Sequence, residues 1–307
     1  MDENEDQSMV EVLQNQISEA NTNFARHVSR NYVDWLHTKD PDDRPMLSHE
    51  VMQRSVFKDL KDDYESVFFI LVDCMRHDQW KELEPLIAEY FYIDQERHYY
   101  SILPTATQYC RNAIFAGLTP LDISKRFPRY WKNDNDEGGK NQYESELLQE
   151  QIKRSRLDIR YSYHKILNND AGFALNENYK NLLKNDLNAI VYNFIDILSH
   201  SRTEVNVVRE LAPTPAAYRA VSRSWFEHSP LIELLRKLSQ HKVKVVITSD
   251  HGTVYVNRPT RIIGDRETTT NLRYKQGRNL NYKDEKYLFT IRDPHEAFLP
   301  KMTMSAS

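Results

Sequence analysis

The sequence predicts an α/β fold in which a mostly parallel sheet carries helices on both faces and follows a small helical region. Two apolar runs, residues 66–73 and 242–248, have the length and composition of buried strands. Amphipathic runs at residues 79–91 and 230–241 repeat apolar side chains at spacings of three and four, and they predict helices. Strands that alternate with helices are typical of a parallel sheet covered on both faces.

Residues 1–60 are expected to form a helical region that links domains or dimerises. Residues 8–36 repeat apolar side chains at helical spacing and predict one long helix. Two prolines and three aspartates in residues 39–45 end that pattern, and a short helix is expected at residues 48–60. We therefore place a domain boundary at residue 60, with residues 61–307 forming the α/β domain.

The rest of the chain predicts further strands, further helices and one polar loop. Apolar residues predict strands at residues 96–105 and 188–196. Helical spacing predicts helices at residues 108–117 and 145–165. A run of polar residues and glycines predicts an exposed loop at residues 133–142.

The composition indicates a reducing, cytoplasmic setting. Two cysteines, Cys74 and Cys110, give neither a disulfide framework nor a CxxC zinc pattern. The net charge of −4 argues against broad electrostatic binding to nucleic acid, so an anionic substrate must be held locally. No apolar run is long enough to span a membrane, and the acidic N-terminus lacks the pattern of a signal peptide.

Side chains that can bind metals follow the predicted strands. The candidates are Asp73 after the first strand, Thr107 after the second, Asp196 and His200 after the third, and Asp250 and His251 after the fourth. In an open parallel sheet, ligands bind beyond the carboxyl ends of the strands, so we expect these residues to share one pocket. Carboxylates combined with imidazoles favour zinc over calcium or magnesium, and zinc with an open position can polarise a phosphoryl oxygen.

Each of these residues also has an ordinary structural interpretation. Thr107 precedes a predicted helix, where threonine is most often an N-cap, although beside a metal its hydroxyl could ionise and become a nucleophile. Asp196 and His200 are four residues apart, which either brings both to one ion or leaves two exposed helix residues. Asp250 and His251 are adjacent, so a turn must aim both side chains at the same ion.

Four motifs together resemble the alkaline phosphatase superfamily, and its PglZ branch in particular. They are "LVDCMRHDQW", "LPTATQYCRNAIFAG", "NFIDILSH" and "VITSDHG", in that order. The segments "FPRYWKNDNDEGGKN" and "NLRYKQGRNLNY" extend the likeness to the output region of response regulators linked to the type IX secretion system, over nearly all of the chain. Since those proteins begin with a receiver domain, we expect a truncated form that lacks the receiver domain and the C-terminal end.

The resemblance implies a zinc enzyme with two ions bridged by the substrate phosphate. One ion would be held by Asp73, Thr107, Asp250 and His251, and the other by Asp196, His200 and one further histidine. Thr107 would attack phosphorus and form a phosphothreonine, which a water at the second ion would then release. The implied substrates are phosphodiesters, including short linear and cyclic oligonucleotides.

The ligand set of the second ion is incomplete in this sequence. The family supplies the last histidine from an HGG-type motif towards the C-terminus, and that motif is absent here. His295 is a poor stand-in, because its surroundings do not match the motif. We therefore expect the chain to be weakly active or inactive.

A basic segment follows the predicted site and offers groups for an anionic substrate. Residues 258–278 hold six lysines and arginines against two acids. The candidate substrate-binding residues are Arg76, Arg258, Arg273 and Lys275, and Tyr255 and Tyr274 are available for base stacking. A solvated charged loop explains the composition equally well.

The alternative function is a zinc-containing signalling scaffold that binds a partner without turnover. The resemblance implies a sigma factor and secretion-system components as partners, and a homodimer when the receiver is phosphorylated. The long N-terminal helix would suit transmission between the domains. Among other enzymes of the superfamily, a sulfatase is set aside because its modified Cys or Ser motif is missing, whereas a phosphomonoesterase stays open.

Overall fold

A computed structural model of the chain describes residues 3–254, 256, 259–266, 268–283 and 288–301, with the backbone alone for residues 3–7 and 203. The helices are α1 (Glu3–His37), α2 (Val51–Ser55), α3 (His77–Ala88), α4 (Thr107–Ala116), α5 (Pro120–Arg126), α6 (Glu144–Arg154), α7 (Asn169–Glu177), α8 (Tyr179–Leu182), α9 (Phe194–Glu204), α10 (Asn206–Leu211), α11 (Pro215–His228) and α12 (Pro230–Leu238). The strands are β1 (Ser66–Val72), β2 (Tyr161–Ile166), β3 (Leu187–Tyr192), β4 (Val243–Thr248), β5 (Ile262–Ile263) and β6 (Asn281–Tyr282). Short 3₁₀ turns occupy Ser48–Glu50, Phe57–Lys61, Pro128–Tyr130 and Pro294–Ala297.

The main sheet is parallel, with the strand order β2-β3-β1-β4 in the described part of the chain. Successive side chains of a strand point to opposite faces, so the central strand β1 contributes to two apolar layers. Phe69 and Leu71 pack with α4 and α6 on one face, whereas Phe68 and Ile70 pack with α3 and α12 on the other. The predicted α/β class, with helices on both faces of a parallel sheet, is therefore confirmed.

The prediction of a helix over residues 145–165 is wrong beyond Arg154, where α6 ends. Arg156 adopts a left-handed φ of 54°, and the chain then forms β2. β2 is an edge strand that pairs with β3 alone, and all but the last of its side chains are half-buried. Its two tyrosines pack on the core, and Ser162 and His164 alternate with them. Because the segment is charged and polar, the two-residue periodicity of a strand is hard to recognise in its sequence.

The strand predicted at residues 96–105 is also wrong. This segment is extended, but among the residues that the structure describes it joins no sheet and makes one isolated bridge, between Tyr100 and Leu47. Its side chains bind the end of a neighbouring strand instead, as when Ser101 Oγ donates to the backbone oxygen of Asp250 at 2.7 Å.

The strand predicted at residues 188–196 ends early, at Tyr192, and α9 begins at Phe194. Asp196 therefore lies in the first turn of a helix that follows β3. The helices α5, α7, α8, α10 and α11 are absent from the sequence-based prediction, because their apolar stripes are short and interrupted by polar residues.

The long helix α1 is confirmed, and its C-terminal half packs against the extended segment that precedes α4. Tyr32 is fully buried, and its hydroxyl accepts a hydrogen bond of 2.8 Å from the amide of Leu103. The ring of Trp35 lies 4.5 Å from that of Tyr100. Although α1 is long, neither it nor any other described helix is apolar enough to cross a membrane.

Residues between α1 and β1 join the main core. Val51, Met52 and Val56 are buried in the same apolar cluster as α4 and β1. The domain boundary at residue 60 stays a prediction.

Candidate metal centre

Two acidic side chains and one imidazole meet where β1 and β4 end. Asp73 directly follows β1, and Asp250 and His251 follow β4 after one residue. Because β1 and β4 are neighbouring parallel strands, their carboxyl ends lie side by side. His251 Nε2 lies 3.9 Å from Asp73 Oδ1 and 3.9 Å from Asp250 Oδ2, and all three side chains are buried. Their ligand atoms all fall within 4.8 Å of one another.

Thr107 completes this cluster from the start of α4. Its Oγ1 lies 3.0 Å from His251 Nε2. The N-cap of α4 is Ala106, and the Thr107 hydroxyl is therefore directed at the cluster rather than used to cap the helix. Thr107 is half-buried, whereas the three other members are buried, so a ligand from solvent can reach its hydroxyl.

Two carboxylate oxygens of the cluster form no hydrogen bond with the protein. Asp73 Oδ1 and Asp250 Oδ2 are buried and accept no hydrogen bond. Their sister oxygens are bonded, since Asp73 Oδ2 accepts from Arg111 at 2.5 Å and Asp250 Oδ1 accepts from the His251 amide at 2.9 Å. A buried oxygen without a partner is costly, and here both such oxygens face the same imidazole nitrogen. This is the arrangement that a bound cation would satisfy.

Arg111 supplies positive charge behind the cluster. It lies four residues after Thr107 in α4, and its side chain is only 2% exposed. Besides Asp73, its guanidinium contacts Glu144, whose carboxylate also accepts from Tyr163 and from Lys165 at 3.1 Å. Asp250 Oδ2 lies farther away, at 4.0 Å from Arg111 Nη1. The Arg111 charge is thus balanced mainly by Asp73 and Glu144 and holds the orientation of Asp73.

The close approach of the two carboxylates shifts their protonation in opposite directions. Burial and the Asp250 charge, with a smaller contribution from Asp196, raise the pKa of Asp73 to about 8 against the opposing charge of Arg111. Burial acts on Asp250 as well, but the His251 and Arg111 charges and the bond from the Cys74 amide lower the pKa of Asp250. Without a cation, the pair therefore retains one proton near neutral pH.

A strained turn brings this geometry about. Cys74, directly after Asp73, has a left-handed φ of 63°. Such a conformation costs a residue other than glycine about 1–2 kcal/mol. In this conformation the Cys74 amide donates a hydrogen bond of 3.2 Å to Asp250 Oδ1, and this bond helps to stabilise the strained turn.

Asp196 and His200 lie at the end of the next strand, β3, and not inside the cluster. His200 Nε2 is 3.7 Å from Asp196 Oδ1. In the part of the chain that the structure describes, no third His, Cys, Asp or Glu brings a ligand atom within 4.8 Å of both.

His295 is exposed on the 3₁₀ turn that meets the end of α1, where His37 bonds the Glu296 oxygen at 2.9 Å. The second metal site stays a prediction.

Arg273 is a predicted substrate-binding residue that contacts one of the cluster ligands. Its Nη1 is 3.3 Å from His251 Nδ1 and donates to the Thr105 oxygen at 2.5 Å. Lys275 Nζ instead donates to the Thr269 oxygen at 3.0 Å.

The other predicted substrate groups have different environments. Arg76 forms a bidentate pair with Asp78, at 2.8 and 2.6 Å. The Tyr274 hydroxyl donates to Asp134 at 2.8 Å, which fixes the ring against the loop that precedes α6. Arg258 and Tyr255 lie outside the described residues.

The fold is that of an alkaline phosphatase-like protein. The family model of the PglZ alkaline phosphatase-like domain of BREX systems matches residues 51–299, which is most of the chain, so the chain belongs to this family. Residues 1–36 match the linker domain of the PorX response regulator. A search of the curated proteins finds no match. The two family matches confirm the resemblance that the sequence motifs indicated.

Proposed function

We propose that the chain is a zinc-dependent phosphodiesterase-like output domain of a cytoplasmic response regulator that controls type IX secretion. It would act on short linear or cyclic oligonucleotides, with Thr107 as the nucleophile. The observation that carries the proposal is the pair of buried, unpartnered oxygens on Asp73 and Asp250, which face His251 Nε2 beside the Thr107 hydroxyl.

The donor atoms of the cluster suit zinc. Asp73 Oδ1, Asp250 Oδ2, His251 Nε2 and Thr107 Oγ1 are three oxygens and one imidazole nitrogen, whereas calcium and magnesium prefer oxygen alone. The Nδ1 of His251 lies 3.3 Å from both the Gly252 oxygen and Arg273 Nη1, so protein groups orient the ring and Nε2 is the nitrogen that faces the cluster. A zinc ion held there would polarise the phosphoryl oxygen and favour ionisation of the threonine hydroxyl.

The protein side chains then perform a two-step displacement. Thr107 Oγ1 bonds to phosphorus while the bond from phosphorus to the leaving alcohol breaks, and the threonine proton passes through solvent to the alcohol oxygen, which takes the electron pair. Water next bonds to phosphorus while the bond from phosphorus to Thr107 Oγ1 breaks, and Oγ1 regains a proton from that water. Arg273, next to His251, offers a guanidinium for the charge on the phosphoryl oxygens. Thr107 begins α4, whose positive dipole end also favours a phosphoryl group.

An apolar cavity at the same edge of the sheet offers a place for the second ester group of a diester. It has a volume of about 310 Å³ and lies beyond the ends of β2 and β3, bordered by Ile197, Phe194 and Trp225. Ile197 follows Asp196 in the chain, and the rings of Phe194 and Trp225 stack at 4.1 Å. The second ester group of a substrate bound at Thr107 could extend along this edge of the sheet, where an aromatic base would find apolar contacts.

Hydrolysis of bis-p-nitrophenyl phosphate and of a linear dinucleotide, with zinc and with excess chelator, tests the proposed activity. We expect zinc-dependent cleavage of both diesters, faster than that of p-nitrophenyl phosphate. Faster cleavage of the monoester would indicate a phosphomonoesterase. Bound zinc without cleavage of any ester would support the alternative function, a signalling scaffold that binds a partner without turnover.

One observation favours the scaffold as a second candidate. The N-terminal half of α1, which lies in the PorX-linker match, exposes apolar side chains that are at least half accessible. They are Met9, Val10, Val12, Leu13 and Ile17. Such a stripe suits a second copy of the chain, brought together when a receiver is phosphorylated, or a sigma factor or secretion component. We propose accordingly that residues 1–60 link domains or dimerise and that residues 61–307 form the domain that carries the metal centre.

Zinc affinity is expected to rise with pH up to about 8. Since the pKa of Asp73 is raised to about 8 from 3.8, a cation that binds below that pH must displace a proton from this carboxyl. The raised pKa stabilises the zinc-free fold in acid, and this contribution is lost as the pH rises through about 8. Calorimetric unfolding should therefore show a larger zinc-induced rise in Tm at pH 8 than at pH 6. An equal or smaller rise at pH 8 would contradict the displacement of a proton.

Replacing Asp196 by alanine should remove the second ion selectively. Asp196 lies on α9, whereas the ligands proposed for the first ion follow β1 and β4 or begin α4. Zinc-to-protein ratios measured by mass spectrometry should fall by one ion in Asp196→Ala. They should stay unchanged in Glu204→Ala, which alters an exposed acid at the other end of α9. Equal loss of both ions in Asp196→Ala would show that the assigned ligand sets are wrong.

A further inference from the structure

A second group of metal-ligating side chains lies on the surface, away from the metal centre proposed above. His77, Glu96 and His98 each offer one ligand atom, and these atoms all lie within 4.8 Å of one another. His77 Nε2 is 3.4 Å and His98 Nε2 is 4.0 Å from the same carboxylate oxygen, Glu96 Oε1. The two imidazole rings meet edge to face with centroids 5.3 Å apart.

Local chain geometry explains why the three side chains converge. His77 is the first residue of α3. Glu96 and His98 are two residues apart in the extended segment before α4, and alternate residues of an extended chain point to the same side. The segment therefore presents a carboxylate and an imidazole together to the start of α3.

The Glu96 carboxylate is divided between two kinds of partner. Its Oε2 accepts from Trp80 Nε1 at 3.3 Å and from Lys81 Nζ at 2.8 Å. Its Oε1 is the atom that both imidazoles approach. A ligating carboxylate is commonly oriented by hydrogen bonds to its other oxygen, and Trp80 and Lys81 supply those bonds here. Lys81 also binds Glu84 at 2.9 Å, so its charge is shared and Glu96 is not fully neutralised.

We propose that His77, Glu96 and His98 form a surface site for one zinc ion, with the fourth position open to water. Two imidazoles and one carboxylate are a ligand set that zinc accepts, and tetrahedral bonds of about 2.0–2.2 Å place ligand atoms about 3.3 Å apart. The observed separations require only side-chain rotations. The histidine side chains are 51% and 76% exposed, so both can rotate and solvent ions can reach them.

An ion at this site would fasten the extended segment to α3. The same segment carries Tyr99, whose hydroxyl donates to the Ser249 oxygen, and Ser101, which donates to the Asp250 oxygen at 2.7 Å. The surface ion would thus limit movement of the segment that supports the turn after β4. Its role is structural, and it does not depend on any hydrolytic activity.

Zinc titration of the full chain by calorimetry and by mass spectrometry tests the site. The double variant His77→Gln/His98→Gln keeps polar side chains of similar reach but removes both imidazoles. We expect it to bind one zinc ion fewer than the unchanged protein and to show a smaller zinc-induced rise in Tm. His228→Gln removes an exposed histidine that bonds the Ser224 oxygen of its own helix, and it should bind as much zinc as the unchanged protein.

A variant of the first metal centre separates the two sites. Asp250→Asn should lose the ion at the buried cluster and keep the ion that depends on His77 and His98. The proposal is overturned if the double glutamine variant, folded by circular dichroism, binds as many zinc ions as the unchanged protein. Failure at the surface site would leave binding at the Asp73 and Asp250 cluster unaffected, so the two proposals fail independently.

Discussion

Replacing Thr107 by valine is expected to abolish the phosphodiester turnover of the chain, even where that turnover is weak, because the variant has no oxygen to attack phosphorus. Valine has nearly the shape of threonine, and the hydroxyl neither caps α4 nor supports the core. The fold should therefore persist, and zinc should still be bound by Asp73, Asp250 and His251, with reduced affinity since one ligand is lost.

The measurement is the rate of bis-p-nitrophenyl phosphate hydrolysis under saturating zinc. Thr105→Val is the matched control, since it makes the same change two residues earlier, where the backbone oxygen alone bonds Arg273. We expect Thr105→Val to retain most of the activity. Unchanged turnover in Thr107→Val would show that Thr107 is not the nucleophile.

Replacing Arg111 by methionine should lower the free energy of unfolding by about 3–5 kcal/mol, which is the usual cost of removing one partner from a buried ion pair. The guanidinium lies between the carboxylates of Asp73 and Glu144, which are each 1% exposed. Methionine fills much of the space but leaves both acids without their main counter-charge. Part of the loss should be recovered when Glu144→Gln is added, because one of the two buried charges is then removed.

Urea unfolding in the presence of a chelator measures this effect without metal binding. Arg223→Met is the control, since Arg223 forms exposed pairs with Glu82 and Glu227. Exposed pairs contribute little to stability because solvent screens them, so this variant should be nearly as stable as the unchanged protein. If Arg111→Met were as stable as Arg223→Met, Arg111 would not be balancing the buried acids.

Sequence patterns locate the two strands that carry most of the metal cluster. β1 and β4 are apolar runs followed by acids, so the amino-acid sequence alone assigns Asp73, Asp250 and His251 to one edge of the sheet. The position of Thr107 follows from a different feature. The segment before it is not a strand, and Thr107 reaches the cluster from the start of α4.

Other features depend on contacts that a sequence does not display. Arg111 lies in a largely apolar helix, and only its burial shows that it holds Asp73. The sequence does contain one indication of this role. Arg111 lies four residues after Thr107, and this spacing places both side chains on one helix face. β2 escaped prediction since an edge strand has a single neighbour and tolerates polar side chains. The left-handed turn at Cys74 had no signal, as no glycine or asparagine marks it.

The most direct test of the metal cluster is anomalous X-ray scattering at the zinc edge, recorded from crystals of the zinc-loaded chain. We expect a peak at bonding distance, about 2.0–2.2 Å, from Asp73 Oδ1, Asp250 Oδ2 and His251 Nε2, with Thr107 Oγ1 as the fourth neighbour. A zinc-loaded crystal without a peak between these atoms would contradict the assignment and leave the two unpartnered oxygens to another explanation.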